Sequence, residues 1–192
     1  MIRSLFLPEK NHTWGCFDYS QQEPRLVVHF AAKTEPICFD NSVSDIVEKF
    51  NNNDVDFHQT VADMANISRT QAKTINLGLF YGMGKAKLQA ELGLATKQEA
   101  EDLFNQYHNN VPFVRDLMNA TSRHAQNSGS IGTLLGRRCR FNKWEPNSFG
   151  MHKPMDFNEA VQTYTLRHIR RAFTYKALNK LIQGSAADMT KK

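Results

Sequence analysis

Four residues spaced four apart could bind an anion along one side of a helix. They are Arg69, Lys73, Leu77 and Tyr81. Each step of four drifts by about 40°, so all four share a stripe roughly 18 Å long. Two cations near the positive end of a helix are unfavourable unless an anion lies nearby, and a polyphosphate would offset their charge. The alternative is that both cations are solvated and that Tyr81 packs at the edge of the core.

The helix that must carry this stripe has start and stop signals. Ser68 followed three residues later by Gln71 forms a capping box, which predicts a helix start. Gly82 and Gly84 predict its end. The sequence therefore predicts a helix over residues 68–82.

A second candidate for chemistry is the carboxylate of Asp18. It lies in a short β-prone run, WGCFDY at 14–19, and the segment 21–32 after it fits a buried helix as well as a second strand. If the segment 21–32 is a helix, Asp18 lies at the end of a strand just before that helix, which suits a carboxylate that faces a cleft. The other interpretation is that Asp18 caps that helix and that Glu23 is an acid favoured by the helix dipole.

Most of the remaining chain has a helical pattern. Helices are predicted over 40–50 and 56–64, and three amphipathic helical segments follow Gly84. A β-hairpin with a basic tip is predicted over 132–141. The least regular stretch is 142–156, and 158–192 is mainly helical.

Composition restricts the class of protein without identifying it. The 192 residues carry a net charge of +5, which allows a polyanionic partner but does not require one. The three cysteines form neither a disulfide framework nor a zinc pattern. With no apolar run of about 18 residues and no signal peptide, we expect a soluble, cytoplasmic protein without membrane contact.

Four segments together resemble family A DNA polymerases, the class of bacterial DNA polymerase I and many phage replicases. The pattern R-x3-K-x3-L-x3-YG at 69–82 resembles the nucleotide-binding helix of the fingers, and DYSQQEPRL at 18–26 resembles the first palm motif. GTLLGRRCRF at 132–141 resembles the return to the palm, and LNKLIQGSAAD at 178–188 resembles the Asn/Gln helix. These segments follow the family order over nearly the whole chain.

This resemblance implies a mixed α/β, helix-rich fold. The expected architecture is a polymerase palm with an inserted helical fingers subdomain, incomplete at both ends. Its parts would be a first palm segment at 1–50, fingers at 51–130 with the nucleotide-binding helix at 68–82, and a return to the palm at 131–192.

The implied activity is DNA-templated addition of dNMP to a primer 3′ end, with two Mg²⁺ ions in the complete enzyme. Asp18 would bind the metal and Lys73 would act in catalysis. Glu23 and Tyr81 would exclude ribonucleotides. The implied nucleotide-binding set comprises Gln21, Glu23, His58, Arg69, Lys73, Leu77 and Tyr81.

The implied DNA contacts lie in the last third of the chain. Asn179 and Gln183 are one helical turn apart, and uncharged amides can read minor-groove acceptors that every base pair offers. A weak surface pair is the alternative. Arg137 and Arg138 would contact primer or template phosphates, unless they only form a solvated hairpin tip.

Two departures from the family limit the implied function. Leu77 stands where the family usually has Phe or Tyr, and no His-Asp-Glu motif with the second metal-binding aspartate occurs in the sequence. We therefore expect a fragment or half of a split enzyme, inactive alone, whose further partner is a polymerase chain carrying that motif. The alternatives are a fragment of a single-subunit RNA polymerase, against which Glu23 argues, and a catalytically dead nucleic-acid-binding module.

Overall fold

The computed structural model describes residues 6–34, 37, 41–52, 56–80, 83–148 and 150–192. Within these ranges the chain is mostly helical, with short strands near its C-terminal third, which confirms the helix-rich mixed α/β class. The helices are α1 Gln22–Ala32, α2 Asn41–Asn51, α3 Phe57–Ala65, α4 Arg69–Phe80, α5 Lys85–Leu92, α6 Lys97–Asn110, α7 Pro112–Ser128, α8 Phe157–Tyr164 and α9 Ala177–Lys191. The strands are β1 Ser130–Gly132, β2 Arg138–Arg140, β3 Trp144–Pro146 and β4 Ile169–Arg171.

The strands form two antiparallel pairs. β1 pairs with β2 in a hairpin, with Ser130 opposite Arg140, two residues earlier than the hairpin predicted at 132–141. β3 pairs with β4, with Trp144 opposite Arg171. The mainly helical pattern predicted for 158–192 is confirmed, but it did not reveal β4, because this strand exists through pairing with a segment distant in sequence.

The predicted strand at 14–19 is also wrong. These residues adopt no regular structure, and the side chains of Trp14 and Phe17 are 69% and 97% exposed. A strand needs a hydrogen-bonding partner, and no strand in the described ranges pairs with this run. The ambiguous segment that follows is helical, as α1, and Pro24 is accommodated in its first turn.

One hydrophobic core draws on the whole length of the chain. α1 packs against α2, α7 and α9, while α3 packs against α4, and α5 against α6. The largest fully buried side chains include Phe57, Ile75, Tyr107, Phe113 and Leu178. The boundaries 1–50, 51–130 and 131–192 between palm and fingers stay predictions, since each segment contributes to this core.

Among the described helices, none has the length and apolar character that a membrane span requires.

Candidate nucleotide and nucleic-acid interface

The N-terminus of α3 is held by two side chains. Oδ1 of Asp56 accepts hydrogen bonds from the backbone N–H groups of His58 at 3.0 Å and Gln59 at 3.2 Å. The remaining first-turn donor, the N–H of Phe57, donates to Oε1 of Gln21 at 2.7 Å. Three donors that would otherwise lack partners are satisfied, which fixes the position of His58 on α3.

The N-terminus of α4 carries the predicted capping box. The N–H of Gln71 donates to Oγ of Ser68 at 3.2 Å, and the N–H of Ser68 donates to Oε1 of Gln71 at 2.9 Å. This reciprocal pair starts the helix at Arg69, so the predicted start is confirmed. Gly82, the predicted stop, lies outside the described residues.

Arg69 has a counter-ion that the sequence pattern did not reveal. Its Nε and Nη2 atoms lie 2.8 Å and 2.6 Å from Oδ2 of Asp56. Partial burial would raise the pKa of Asp56, but the hydrogen bonds from Arg69 and from the α3 backbone lower it overall. Both side chains are about half exposed, so the pair contributes at most about 1 kcal/mol. Since a guanidinium has five N–H donors, three remain for an anion.

Lys73 lies one turn further along α4 and is exposed. No hydrogen bond or ion pair to it occurs among the contacts of the described residues. Arg69, four residues before it, contacts the N-cap of α3, and Asn76, three residues after it, contacts His58, so Lys73 lies on the side of α4 that faces α3. The structure therefore brings His58, Arg69 and Lys73 together on one surface, which we call the cationic ridge.

His58 is half-buried between charged and polar groups. Burial lowers the pKa of its imidazole, and the charges of Arg69 and Lys73 lower it further, while Asp56 opposes them. The ring is therefore neutral near pH 7. Its Nδ1 lies 3.1 Å from Nδ2 of Asn76, a fully buried residue of α4.

The ridge is connected to the segment that contains Asp18. Gln21 begins the turn into α1 with a positive φ of 54°, and its side chain binds the N–H next to His58. Asp18 is exposed and lies three residues earlier, so its Cα is within about 11 Å of that of Gln21. Glu23 lies in the first turn of α1 and is partly exposed.

The predicted stripe continues from Lys73 to Leu77 and Tyr81. Leu77 is half-buried on α4. Tyr81 lies outside the described residues, so its predicted place on the stripe and its role stay predictions.

A basic groove lies between α9 and the β1–β2 hairpin. It has a volume of about 300 Å³, and Gln183 and Arg138 line it together with Lys180. Gln183 is exposed, and Asn179, one turn earlier on α9, is partly exposed. The groove thus carries both amide and cationic groups that could contact a nucleic acid.

Arg137 holds the hairpin against α9. Its Nε donates to Oδ1 of Asp188 at 2.9 Å, and its Nη2 donates to the carbonyl of Gly184 at 2.9 Å. The Thr133 hydroxyl donates to the other carboxylate oxygen, and the pKa of Asp188 is lowered by this bond and by Arg137. Ser185 Oγ accepts the N–H of Leu134 at 2.9 Å. Arg137 therefore has a structural partner in addition to its predicted contact with DNA.

Sequence analysis missed four residues that shape these surfaces: Asp56, Asn76, Tyr107 and Asp188. Asp56 was recognisable as a helix start, and Asn76 as a polar residue within a predicted helix. Their partners are remote in sequence, however, and only the packing of α3 on α4 and α6, and of α9 on the β1–β2 hairpin, brings them together.

The described residues do not by themselves fit a complete metal site. No group of three or more His, Cys, Asp or Glu side chains in the described ranges could hold a metal ion. The exposed carboxylate of Asp18 has the oxygen chemistry that Mg²⁺ prefers, but it is a single ligand.

Comparisons with known proteins agree on one family. A family profile described as DNA polymerase family A matches residues 1–192. A DNA-directed DNA polymerase of Pseudomonas phage M6 is 34% identical over the whole chain, which covers 31% of that protein. DNA polymerase I of Caldicellulosiruptor bescii is 31% identical, and the chain covers 20% of it. The chain thus spans less than a third of the length of these relatives.

A solved structure is similar in fold. The polymerase domain of Pol1 from M. smegmatis, in complex with DNA primer-template and dNTP, superimposes with a TM-score of 0.62 at 28% identity. The match covers 91% of this chain and 27% of that one.

Proposed function

Since the chain belongs to DNA polymerase family A, we propose that it is the nucleotide-binding and primer-contacting part of a DNA-templated DNA polymerase. The reaction would add dNMP to a primer 3′ end. Its substrates would be a dNTP and primer-template DNA, the molecules present in the Pol1 complex.

The observation that carries this proposal is that the contacts of Arg69 with Asp56 and of Asn76 with His58 bring α3 and α4 together at the cationic ridge. These residues come from two helices, and only one of the two strong cations has a counter-ion among the described residues. A triphosphate would bind here through charge-assisted hydrogen bonds from Arg69 and Lys73. Lys73 would also neutralise charge that develops on the phosphates during phosphoryl transfer.

Asp18 is the metal ligand that the chain would contribute. Magnesium, when bound, supplies charge neutralisation at the phosphate oxygens. Because the described residues offer a single candidate carboxylate, we assign no further ligand and expect the 192-residue chain alone to extend a primer poorly or not at all.

The remaining site residues would select the substrates. Glu23 and Tyr81 would exclude a ribose 2′-OH, and Gln21 holds the turn that presents Glu23. Asn179 and Gln183 would contact the minor groove of the primer-template duplex. Arg138, beside Gln183 in the basic groove, would contact the phosphate backbone.

Binding of a fluorescent dNTP to the chain with primer-template and Mg²⁺ tests this function. We expect Lys73→Ala to weaken binding at least about tenfold, because it removes a charged hydrogen bond to phosphate. Lys97→Ala is the matched control, since Lys97 is an exposed lysine in the first turn of α6 and is not one of the ridge residues. Binding of primer-template without any dNTP binding would instead favour a catalytically dead DNA-binding module.

A further inference from the structure

A buried amide lies directly behind the cationic ridge. Asn76 has no exposed surface, although it occupies the same helix as Arg69 and Lys73. Its Oδ1 accepts a hydrogen bond from the hydroxyl of Tyr107, and its Nδ2 lies 3.1 Å from Nδ1 of His58. Tyr107, on α6, is also fully buried.

The hydrogen bonds between Tyr107, Asn76 and His58 allow one assignment of donors and acceptors. A tyrosine hydroxyl has a single proton, and the only acceptor found for it in the described structure is Asn76 Oδ1. With its oxygen bound to Tyr107, Asn76 presents its NH₂ group to His58. An NH₂ group can only donate, so Nδ1 of the neutral imidazole must be the unprotonated nitrogen.

We propose that Asn76 and Tyr107 are positioning residues that hold His58 as its Nε2–H tautomer, with that N–H available to donate to a phosphate oxygen. The inference rests on the proposed function for the identity of the ligand. The opposite tautomer would present a lone pair to the anion and repel it. Neither positioning residue touches the nucleotide; both act through His58.

The position of His58 supports this role. Its backbone N–H is fixed by Asp56, and the charged groups that face its ring are Asp56, Arg69 and Lys73. A neutral donor beside two cations adds a directed hydrogen bond without a third positive charge. Tyr107 is anchored in the core, so the orientation of the amide does not depend on solvent.

Nitrogen-15 NMR of the histidine rings in the 192-residue chain tests the proposal. In the wild-type chain, we expect the ring nitrogens of His58 to have the chemical shifts of the Nε2–H tautomer. Tyr107→Phe keeps the buried ring but removes the hydroxyl, so the Nδ1–H form should gain population and dNTP affinity should fall about fivefold. Asn76→Asp should raise the pKa of His58, because a carboxylate replaces the amide donor at Nδ1.

Thr121→Val is the matched control. It removes a buried hydroxyl whose bonds within the described structure go to carbonyls of its own helix, α7, so the tautomer and dNTP affinity should not change. A wild-type Nδ1–H tautomer, or a Tyr107→Phe variant with unchanged tautomer and affinity, would overturn the proposal.

The same experiments distinguish a failure of the proposed function from a failure of the positioning role. If the wild-type chain shows the Nε2–H tautomer but binds no dNTP, the ligand assignment fails, and the role toward phosphate fails with it. If dNTP binds and depends on Lys73 while the tautomer is wrong, only the positioning role fails.

Discussion

The side chain of Gln21 accepts a hydrogen bond from the backbone N–H of Phe57 at 2.7 Å. This bond joins the turn after Asp18 to the helix that carries His58. It therefore connects the segment that contains the candidate metal ligand to the cationic ridge, through a contact between the N-cap of α1 and the first turn of α3.

Replacing Gln21 by Ala should leave the partly buried N–H of Phe57 without its acceptor. We expect a loss of about 1–3 kcal/mol in the free energy of unfolding, measured by urea denaturation. Gln98→Ala is the control, since that side chain makes an exposed bond to Asp102 within one helix, worth only about 0.2–0.5 kcal/mol. Equal effects of the two substitutions would show that the α1–α3 contact is not important for stability.

The two cations of the ridge should differ in their effects on catalysis. In an active, complemented polymerase, Lys73→Ala should lower the chemical rate in addition to nucleotide affinity, whereas Arg69→Ala should mainly weaken nucleotide binding. Each loss should be about tenfold or more, because each variant removes a charged hydrogen bond to phosphate. Single-turnover kinetics separate the two effects. An unchanged chemical rate and an unchanged nucleotide affinity in both variants would contradict the proposal that Arg69 and Lys73 bind the phosphates.

Asp188 should make stability depend on pH. Its pKa is lowered from the ordinary value of 3.8, first by the Thr133 hydroxyl and then by Arg137. A lowered folded-state pKa gives stability that is fully present above the ordinary value and is lost as the pH falls through the folded pKa.

We therefore expect Asp188→Asn to lower Tm at neutral pH, with a difference from the wild type that shrinks as the pH falls below 3.8. Thermal unfolding followed by circular dichroism over this range measures the effect. Asp45→Asn, at an exposed position of α2, is the control and should change Tm little. A difference in Tm that is independent of pH would contradict the ionic role of Asp188.

Gly184 is required for the contact between α9 and the hairpin. A Cβ atom at this position would lie 2.6 Å from Cγ2 of Thr133, whose hydroxyl holds Asp188. Although alanine favours helices, Gly184→Ala should destabilise the protein by about 1–3 kcal/mol. Gly132→Ala has open space around it and should have a much smaller effect in the same denaturation measurement.

Local signals in the sequence predicted the local structure. The capping box of Ser68 and Gln71 was found because both partners lie within one helical turn. The helices after Gly84 and the β1–β2 hairpin were predicted for the same reason, since their patterns are local.

Contacts between distant segments could not be predicted. Asp56 and Arg69 are 13 residues apart, Asn76 and Tyr107 31, and Arg137 and Asp188 51. The wrong strand at 14–19 and the missed strand β4 have a shared cause, because strand formation depends on a partner that periodicity does not identify. The strands β3 and β4, which have three residues each and are not joined by a hairpin turn, are also too short for a pattern to indicate.

The central claim is that a metal-bound triphosphate lies between Asp18 and the cationic ridge, and paramagnetic broadening by Mn²⁺ in complex with a dNTP tests it most directly. Mn²⁺ shares the oxygen ligands of Mg²⁺, and it broadens NMR signals close to it. We predict simultaneous broadening at Asp18, His58 and Lys73 in the wild-type chain, and its loss at all three in Asp18→Ala. Broadening that leaves the ridge unaffected, or that persists unchanged in Asp18→Ala, would contradict the claim.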